Sequence, residues 1–270
     1  MKTIHMTLTA LLVSAASAFA QNQPVTERRT LEGGLKAGGT FTHGYTTIPA
    51  QPTGIVGVEV PQLENQSNGI GTGYSAGLWG RKNFRRGYIQ AEITYNRFVL
   101  KQKTNVTLDV NANPLLAARL PLTFAPGLLN ATLDATSESV LESINVPILL
   151  GRRFVNDKVR AYFGPNLIFV QKAEATRNSA GRVNANPAIG FPGADIPASV
   201  STTNLLNRFE AANLEVKDFT YALEVGLGVS PIRSLDIDVR YAVPVGGVYK
   251  DRNIEGFLGI ATVSIGYRLF

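Results

Sequence analysis

Acidic and basic side chains alternate with apolar ones in the segment Ser234–Gly247. Asp236, Asp238 and Arg240 occupy one parity of this segment, and aliphatic residues with one tyrosine occupy the other. Successive side chains of a β-strand point to opposite faces, so the pattern predicts a strand with one charged face and one apolar face. Two carboxylates beside a guanidinium can form ion pairs or line a path for ions. What the charged face meets decides between these chemistries.

His43 is the other residue whose type could do chemistry, because it is the single histidine beyond the first twenty residues. With a serine or an aspartate beside it, an imidazole acts as a general base in hydrolysis or acyl transfer. The surrounding sequence, TFTHGYTT, offers no recognisable motif with such a partner. We therefore expect His43 to be a polar residue near the end of its strand, and we predict no catalytic residue, no metal site and no cofactor.

The composition restricts the class of protein. The chain has 270 residues, of which 44% are hydrophobic and 17% are charged, which is too polar for a helical membrane bundle. Cysteine is absent, and this excludes disulfides, thiolate metal sites, a cysteine nucleophile and a lipid anchor on an N-terminal cysteine. Beyond the first twenty residues no run of about 18 apolar residues occurs, so we expect no transmembrane helix.

The first twenty residues have the layout of a secretory signal peptide. Lys2 precedes an apolar stretch from Met6 to about Val13, and small residues then lead to Ala18-Phe19-Ala20. This arrangement predicts cleavage before Gln21. The apolar run is too short for a membrane-spanning helix, which needs about 18 residues.

Alternating segments recur from Leu31 onward and predict eight strands. The predicted ranges are 31–46, 69–82, 88–102, 138–153, 158–173, 217–230, 234–247 and 255–270. Three connections are short, at 83–87, 154–157 and 231–234. At the opposite end, the connection after the first strand and the segments 103–137 and 174–216 are long, and only the last connection, at 249–253, is short. Short turns at one end and long loops at the other are typical of barrels in the bacterial outer membrane, where the short turns lie in the periplasm.

The apolar faces of these strands could meet either lipid or an enclosed ligand. A soluble ligand-binding barrel points its apolar residues inward, and a membrane barrel points them outward. The polar faces here are rich in Gly, Ser, Thr and Ala and carry few charges, whereas a water-facing surface carries about 25–35% charged residues. The polar faces therefore do not have the composition of an outer surface in water, and the apolar faces are expected to meet lipid. The sequence therefore favours an all-β, eight-stranded antiparallel up-and-down transmembrane β-barrel with long external loops. It divides into a signal peptide (1–20), a short periplasmic segment (21–30) and an outer-membrane β-barrel domain (31–270).

In this arrangement the charged side chains point into the lumen. The predicted luminal residues are Lys36, Glu92, Arg160, Glu224, Asp236, Asp238 and Arg240. Side chains fill most of an eight-stranded barrel, and an unpaired buried charge is strongly destabilising, so acids and bases must pair. We predict a structural network that closes the lumen, with an ion path as the alternative.

Aromatic residues are expected at the membrane interface. The predicted members are Trp79, Phe84, Tyr88, Tyr267 and Phe270. The basic segment Gly80–Arg86 is predicted to meet anionic lipid headgroups from a periplasmic turn, and we expect no nucleic-acid binding. Phe270 departs from the usual pattern, because it lies on the parity opposite to the apolar residues of the last strand.

Several strand sequences resemble the outer-membrane β-barrel domain of PorT-like proteins from Gram-negative bacteria. They include INVPILLGRRF, VRAYFGPNLIFV, DFTYALEVGLGVSPIRSLDIDVRYAVPV, LEGGLKAGGTFT and YIQAEITY. The resemblance covers the strands of nearly all of the chain after the signal peptide. It implies an eight-stranded barrel in the outer membrane, and some relatives serve in protein secretion.

These observations lead to a functional hypothesis. We expect a non-enzymatic outer-membrane protein that its strands anchor and whose external loops bind a protein or a surface ligand. Its other expected partners are outer-membrane lipids and, during biogenesis, the outer-membrane insertion machinery. The alternatives are a narrow pore, an accessory component of protein secretion, and a lipid-modifying enzyme that uses His43.

Overall fold

The computed structural model describes residues 30–52, 59–85, 87–109, 129–155, 157–185, 194–211, 214–251 and 253–270. The predicted signal peptide, most of the segment 21–30, Arg86 and parts of the three long connections lie outside these residues. Within the described ranges, no helix has the length and the apolar content to span a bilayer.

Twelve strands and one short helix are present in the described residues. They are β1 (Leu31–Ile48), β2 (Gln51–Pro52), β3 (Glu59–Val60), β4 (Leu63–Ser67), β5 (Gly71–Asn83), β6 (Tyr88–Asp109), β7 (Leu129–Phe154), β8 (Val159–Ala185), β9 (Ala194–Asn204), α1 (Arg208–Ala211), β10 (Phe219–Ile232), β11 (Leu235–Val245) and β12 (Glu255–Arg268).

Eight of these strands close a ring. The order is β1-β5-β6-β7-β8-β10-β11-β12, and β12 pairs back onto β1 from Gly34↔Arg268 to Thr47↔Glu255. Every pair in the ring is antiparallel. The predicted eight-stranded barrel is thereby confirmed, and each predicted strand corresponds to one strand of the ring.

The apolar parity of the ring faces outward. Large apolar side chains of these strands are exposed, including Leu35 at 49%, Leu78 at 57%, Ile93 at 59% and Leu223 at 61%, and the charged parity is buried. On β7 the exposed Ile144, Ile148 and Leu150 mark a band of nine residues from Ser143 to Gly151. A strand crosses the hydrocarbon in about 9–11 residues, so this band matches the thickness of the bilayer. We call the end with the short turns the periplasmic end, as in outer-membrane barrels.

Aromatic side chains encircle the opposite, extracellular end of the band. Tyr45 stacks on Phe257 with ring centroids 6.3 Å apart, Phe169 lies 5.1 Å from Phe219, and Tyr74 lies 6.2 Å from Tyr95. Aromatic residues prefer the membrane–water interface because their rings are apolar and their hydroxyl groups are polar. The interfacial aromatics predicted from the sequence all lie toward the periplasmic end, and none of them belongs to this set.

The long connections contain more strand than predicted. The 22 residues of β6, the 26 of β7 and the 27 of β8 extend beyond the apolar band, and β9 pairs with β8 there. The part of β7 from 129 to 142 spans roughly 45 Å at about 3.3 Å per residue. β4 joins the same sheet by pairing with both β1 and β6. We call the sheet formed by β4, β9 and the distal parts of β6, β7 and β8 the extracellular sheet.

Glycines let aromatic rings lie flat on the barrel wall. A Cβ atom added at Gly226 would lie 2.4 Å from the ring of Tyr162, whose hydroxyl accepts a hydrogen bond from Arg240 Nε at 3.0 Å. Because that bond holds the ring in the lumen, Tyr162 has little freedom to move away.

We expect Gly226→Ala to destabilise the barrel by about 1–3 kcal/mol, because the added methyl group overpacks the wall against Tyr162. Gly80→Ala is the matched control, since nothing lies within 4 Å of a Cβ atom at Gly80. The measurement is urea unfolding of the refolded barrel in detergent micelles, followed by the fluorescence of the single tryptophan, Trp79. Equal unfolding midpoints for the two variants would contradict this account of the wall.

Candidate functional site

The lumen contains an enclosed network of charged side chains. All seven predicted luminal residues are buried there, with relative exposures between 0% and 6%. Four further charged residues join them, namely Glu32, Arg81, Arg153 and Arg268. We call these eleven residues the luminal charge network and divide it into a central layer and a periplasmic layer.

The central layer surrounds Asp238 and Glu92. Lys36 Nζ lies 2.9 Å from a carboxylate oxygen of each of them. Arg240 donates to Glu92 and to Glu224 at 2.9 Å, and Asn166 donates to the other oxygen of Glu224 at 2.8 Å. These contacts connect β1, β6, β8, β10 and β11 across the barrel. The carboxylates are therefore paired, as burial in a region of low polarity requires.

The periplasmic layer is richer in arginine. Glu32 accepts from Arg81 and Arg153 at 3.0 Å each and lies 3.3 Å from Arg268. Asp236 lies 3.0 Å from Arg81 and also contacts Arg160. Each member lies close to the periplasmic end of its strand. Arg160 connects the two layers, because its Nη2 atom donates to Asp238 at 2.8 Å.

Aromatic rings pack against this network from inside the lumen. The guanidinium of Arg81 lies 4.7 Å from the ring centroid of Trp79 and 5.0 Å from that of Tyr88, and Arg153 lies 5.6 Å from Tyr88. A cation over an aromatic face is stabilised by the ring quadrupole, most strongly where water is excluded.

The prediction that Trp79 and Tyr88 face the membrane interface is wrong. They are only 4% and 3% exposed, because they share the luminal parity of Arg81 and Gln90. The predicted basic cluster Gly80–Arg86 is split for the same reason. β5 continues to Asn83, so Arg81 points inward and Lys82 outward, and the segment is not a single headgroup-binding turn.

The other predicted interfacial aromatics do lie on the outer surface. Phe84, Tyr267 and Phe270 are 51%, 54% and 54% exposed at the periplasmic end. β12 ends at Arg268, so the strand parity no longer applies to Phe270. A Cβ atom added at Gly33 would lie 2.6 Å from the Phe270 ring. The ring therefore covers the backbone of β1 at Gly33.

An apolar plug lies on the extracellular side of the network. It combines the luminal residues Phe98, Ile168 and Ala222 with Leu205 and Val216 from the segment between β9 and β10. Between the plug and the central layer, a cavity of about 30 Å³ is lined by Glu92, Asn96, Asn145 and Arg240, among others. This volume suits one or two water molecules. Side chains of the plug and of the central layer thus line this cavity from its two sides.

Backbone hydrogen bonds hold the segment of the plug in place. Leu205 donates to Ala173 O at 2.8 Å, and Val216 donates to Leu205 O at 2.9 Å. Lys250 Nζ contacts Glu215 at 2.8 Å, and this hydrogen bond raises the pKa of Lys250 above its ordinary value. A raised lysine pKa means that this stabilisation is present at neutral pH and is lost only as the pH rises through that pKa.

His43 faces the outer surface of the barrel rather than the lumen. Its Nε2 atom lies 3.3 Å from the hydroxyl of Tyr241, and its ring lies 5.8 Å from Phe257. Within the described residues, the side chains that contact His43 are those of Tyr241 and Phe257, and neither is a serine or an aspartate. In the same residues, no group of three His, Cys, Asp or Glu side chains could hold a metal ion.

A second candidate site is an open groove on the extracellular sheet. Its volume is about 830 Å³, and it is lined by Glu64 and Gln66 of β4, Thr104 of β6 and Ser199 of β9, among others. Most of its lining residues have polar side chains, and alanines and Val200 complete the lining. Thr176 and Thr202, and likewise Ser179 and Ser199, pair across β8 and β9 at 3.3 and 2.8 Å.

A family profile described as outer membrane protein β-barrel domain matches residues 19–249. The chain belongs to this family. The family, the closed ring and the outward apolar band place this barrel in the outer membrane, in contact with its lipids. A search of curated proteins gives no match.

Solved structures similar to this outer-membrane barrel are distant in sequence. The attachment invasion locus protein Ail of Yersinia pestis is 10% identical, with coverage of 89% of this chain and 100% of that chain and a TM-score of 0.28. Neisserial surface protein A is 12% identical, with coverage of 87% and 97% and a TM-score of 0.31. The outer membrane protease OmpT of Escherichia coli is 10% identical, with coverage of 93% and 100% and a TM-score of 0.26.

We expect Asp238→Asn to destabilise the barrel by about 3–5 kcal/mol, because it leaves the cations of Lys36 and Arg160 buried without their shared carboxylate. Asp195→Asn is the matched control. Asp195 lies 3.8 Å from Arg182, and its side chain is 82% exposed, so its loss should cost less than about 1 kcal/mol. Urea unfolding in micelles measures both.

The double variant Lys36→Met with Asp238→Asn should lose less stability than the sum of the two single variants, because it removes both members of one buried pair. Strict additivity would show that the pair contributes nothing beyond its separate side chains.

Proposed function

We propose that this protein is a non-enzymatic outer-membrane anchor that holds the extracellular sheet away from the cell and uses it to bind a protein or surface ligand. The observation that carries this proposal is the continuity of β6, β7 and β8 through the apolar band and beyond it. A strand needs about 9–11 residues to cross the membrane, so more than half of β7 serves another purpose.

The polar outer surface of the extracellular sheet supports this assignment. Beyond the apolar band the outward positions become polar, with Lys103, Asp134 and Asn178 near the open groove. A polar surface of this kind is suited to contact with water rather than lipid. Because the sheet is hydrogen-bonded along its length, it presents the groove on a stiff support, which is how rigid scaffolds carry binding surfaces.

The narrow-pore alternative has less support. The apolar plug lies on one side of the small cavity and the central layer of the luminal charge network on the other, so both narrow the lumen. The luminal network serves in this proposal as a structural filling and not as an ion path. The contacts of His43 with Tyr241 and Phe257 favour an interfacial role over that of a general base.

A role in protein secretion, which the resemblance to PorT-like proteins implies, stays a prediction. Assembly by the outer-membrane insertion machinery is likewise proposed from the barrel architecture, in which Phe270 closes the last strand against β1.

Removal of the extracellular sheet should abolish binding and leave the barrel folded. The register allows an in-frame truncation, because Lys103 pairs with Thr136 and Thr176 pairs with Thr202. Asn-Gly turns would replace residues 104–135 and 177–201, since this dipeptide suits two-residue hairpins. Cells that display either form are compared for adherence to a panel of immobilised polysaccharides and matrix proteins.

The truncated barrel must still show the electrophoretic shift between unheated and heated samples that folded membrane barrels give. We expect adherence to fall at least about tenfold, as for the loss of a whole contact surface. Equal adherence of the two folded forms, or no adherence of either form to any member of the panel, would contradict the proposal.

The intact protein should give no current above the leak in planar bilayers, because side chains close the lumen. Steady, ohmic single-channel currents from purified protein would instead favour the pore. The control is the same preparation after it has been unfolded by heat.

A further inference from the structure

The periplasmic layer of the luminal charge network carries an excess of positive charge. It contains four guanidinium groups, from Arg81, Arg153, Arg160 and Arg268, but only the carboxylates of Glu32 and Asp236. The central layer has three carboxylates and two cations, and Asp238 offsets one guanidinium through its 2.8 Å contact with Arg160. One positive charge in this enclosed network is therefore not neutralised by any of the eleven side chains.

The same layer holds several donors without a hydrogen-bond partner. The Nε atoms of Arg153, Arg160 and Arg268 and the hydroxyl of Tyr88 are buried and unpartnered. The side chains of Arg153 and Arg160 are 8% and 1% exposed, so they are more than nine-tenths buried. Leaving such a donor unpaired is destabilising, and more so when the group is charged. Within the described residues, these donors therefore have no acceptor.

The four residues belong to one connected cluster. Tyr88 lies under the guanidinium of Arg153, at 5.6 Å from its ring centroid, and Arg153 and Arg268 share Glu32. Arg268 also lies 3.6 Å from Asp236, which contacts Arg160. Arg268, at 18% side-chain exposure, is the most open of these arginines and leads to the periplasmic mouth.

We propose that the periplasmic mouth of the barrel is a binding site for a phosphate group, formed by Arg153, Arg160, Arg268 and Tyr88. Arginine binds phosphate through parallel N–H···O bonds, and a tetrahedral oxyanion accepts such bonds from several directions at once. The exposed Phe84, Tyr267 and Phe270 mark the membrane interface at this end, so the mouth lies near the phosphates of the inner-leaflet headgroups. The phosphate comes either from such a lipid or from solution.

Titration of inorganic phosphate into the intact protein in dodecyl maltoside micelles tests this site, because this detergent has no phosphate group. We expect saturable binding by calorimetry and a rise of the urea midpoint with phosphate concentration, compared with chloride at equal ionic strength. A phosphate response no larger than that of chloride would overturn the proposal.

Three variants and a control assign the response to this site. Arg153→Gln and Arg268→Gln should each weaken binding by about tenfold or more, as expected for a charge-assisted hydrogen bond. Arg152→Gln is the control, because Arg152 is the adjacent residue and is exposed on the opposite face of β7. Tyr88→Phe keeps the ring under Arg153 and removes only the unpartnered hydroxyl, so it should weaken phosphate binding without lowering the stability in chloride. Unchanged binding in Tyr88→Phe and in every arginine variant that folds would overturn the site.

A second arm identifies the source of the phosphate. In phosphatidylglycerol nanodiscs, loss of the response to free phosphate indicates that a headgroup fills the site. Retention of the response indicates phosphate from solution. The truncated barrel that tests the extracellular sheet keeps this site, so failure of one proposal is distinguishable from failure of the other.

Discussion

The closing pair of strands, β1 and β12, is the constraint on which the rest of the molecule depends. In hydrocarbon an unpaired backbone N–H or C=O group costs several kcal/mol, so a sheet can cross a bilayer only when it has no free edge. Here the pair runs from Gly34↔Arg268 to Thr47↔Glu255, along almost the full length of both strands. The Phe270 ring covers Gly33 at the end of this pair. Once the ring is closed, the alternation of side chains fixes which residues face lipid and which are enclosed.

Enclosure in the lumen means that each charged side chain of a strand face must be paired. Asp236, Asp238 and Arg240 would be unremarkable on a surface in water, but in the lumen each needs partners from other strands. The partners are contributed by residues far apart in the chain, such as Lys36 and Glu92. The network therefore ties together strands that are not neighbours in the sheet, and it leaves little space between the layers. The apolar plug completes the filling at the extracellular side.

The sequence predicts the ring and the orientation of its faces well, because both follow from a period of two and from the positions of the turns. It also predicts the luminal parity of Asp236 and Glu92. Glu32, Arg81, Arg153 and Arg268 were missed because they lie near strand ends, where a parity argument competes with the assumption that charges belong to turns. The predicted strand 69–82 already holds Arg81 and Trp79 on one parity, and applying that parity to its end would have placed both in the lumen. The extracellular sheet was missed for another reason. Both of its faces are largely polar, so segments such as ATLDATSES lack the apolar alternation that marks a strand, and only the ladder with a neighbour defines it.

The continuity of β7 from Leu129 to Phe154 has a mechanical consequence. A force applied at the tip of the extracellular sheet is parallel to the strand axes. It therefore loads the hydrogen bonds of the β6–β7 and β7–β8 ladders in shear. Many bonds then resist together, whereas a force across a hairpin would open them one after another. The same covalent path continues through the membrane to the short turn at the periplasmic end, so β7 resists tension applied along its axis.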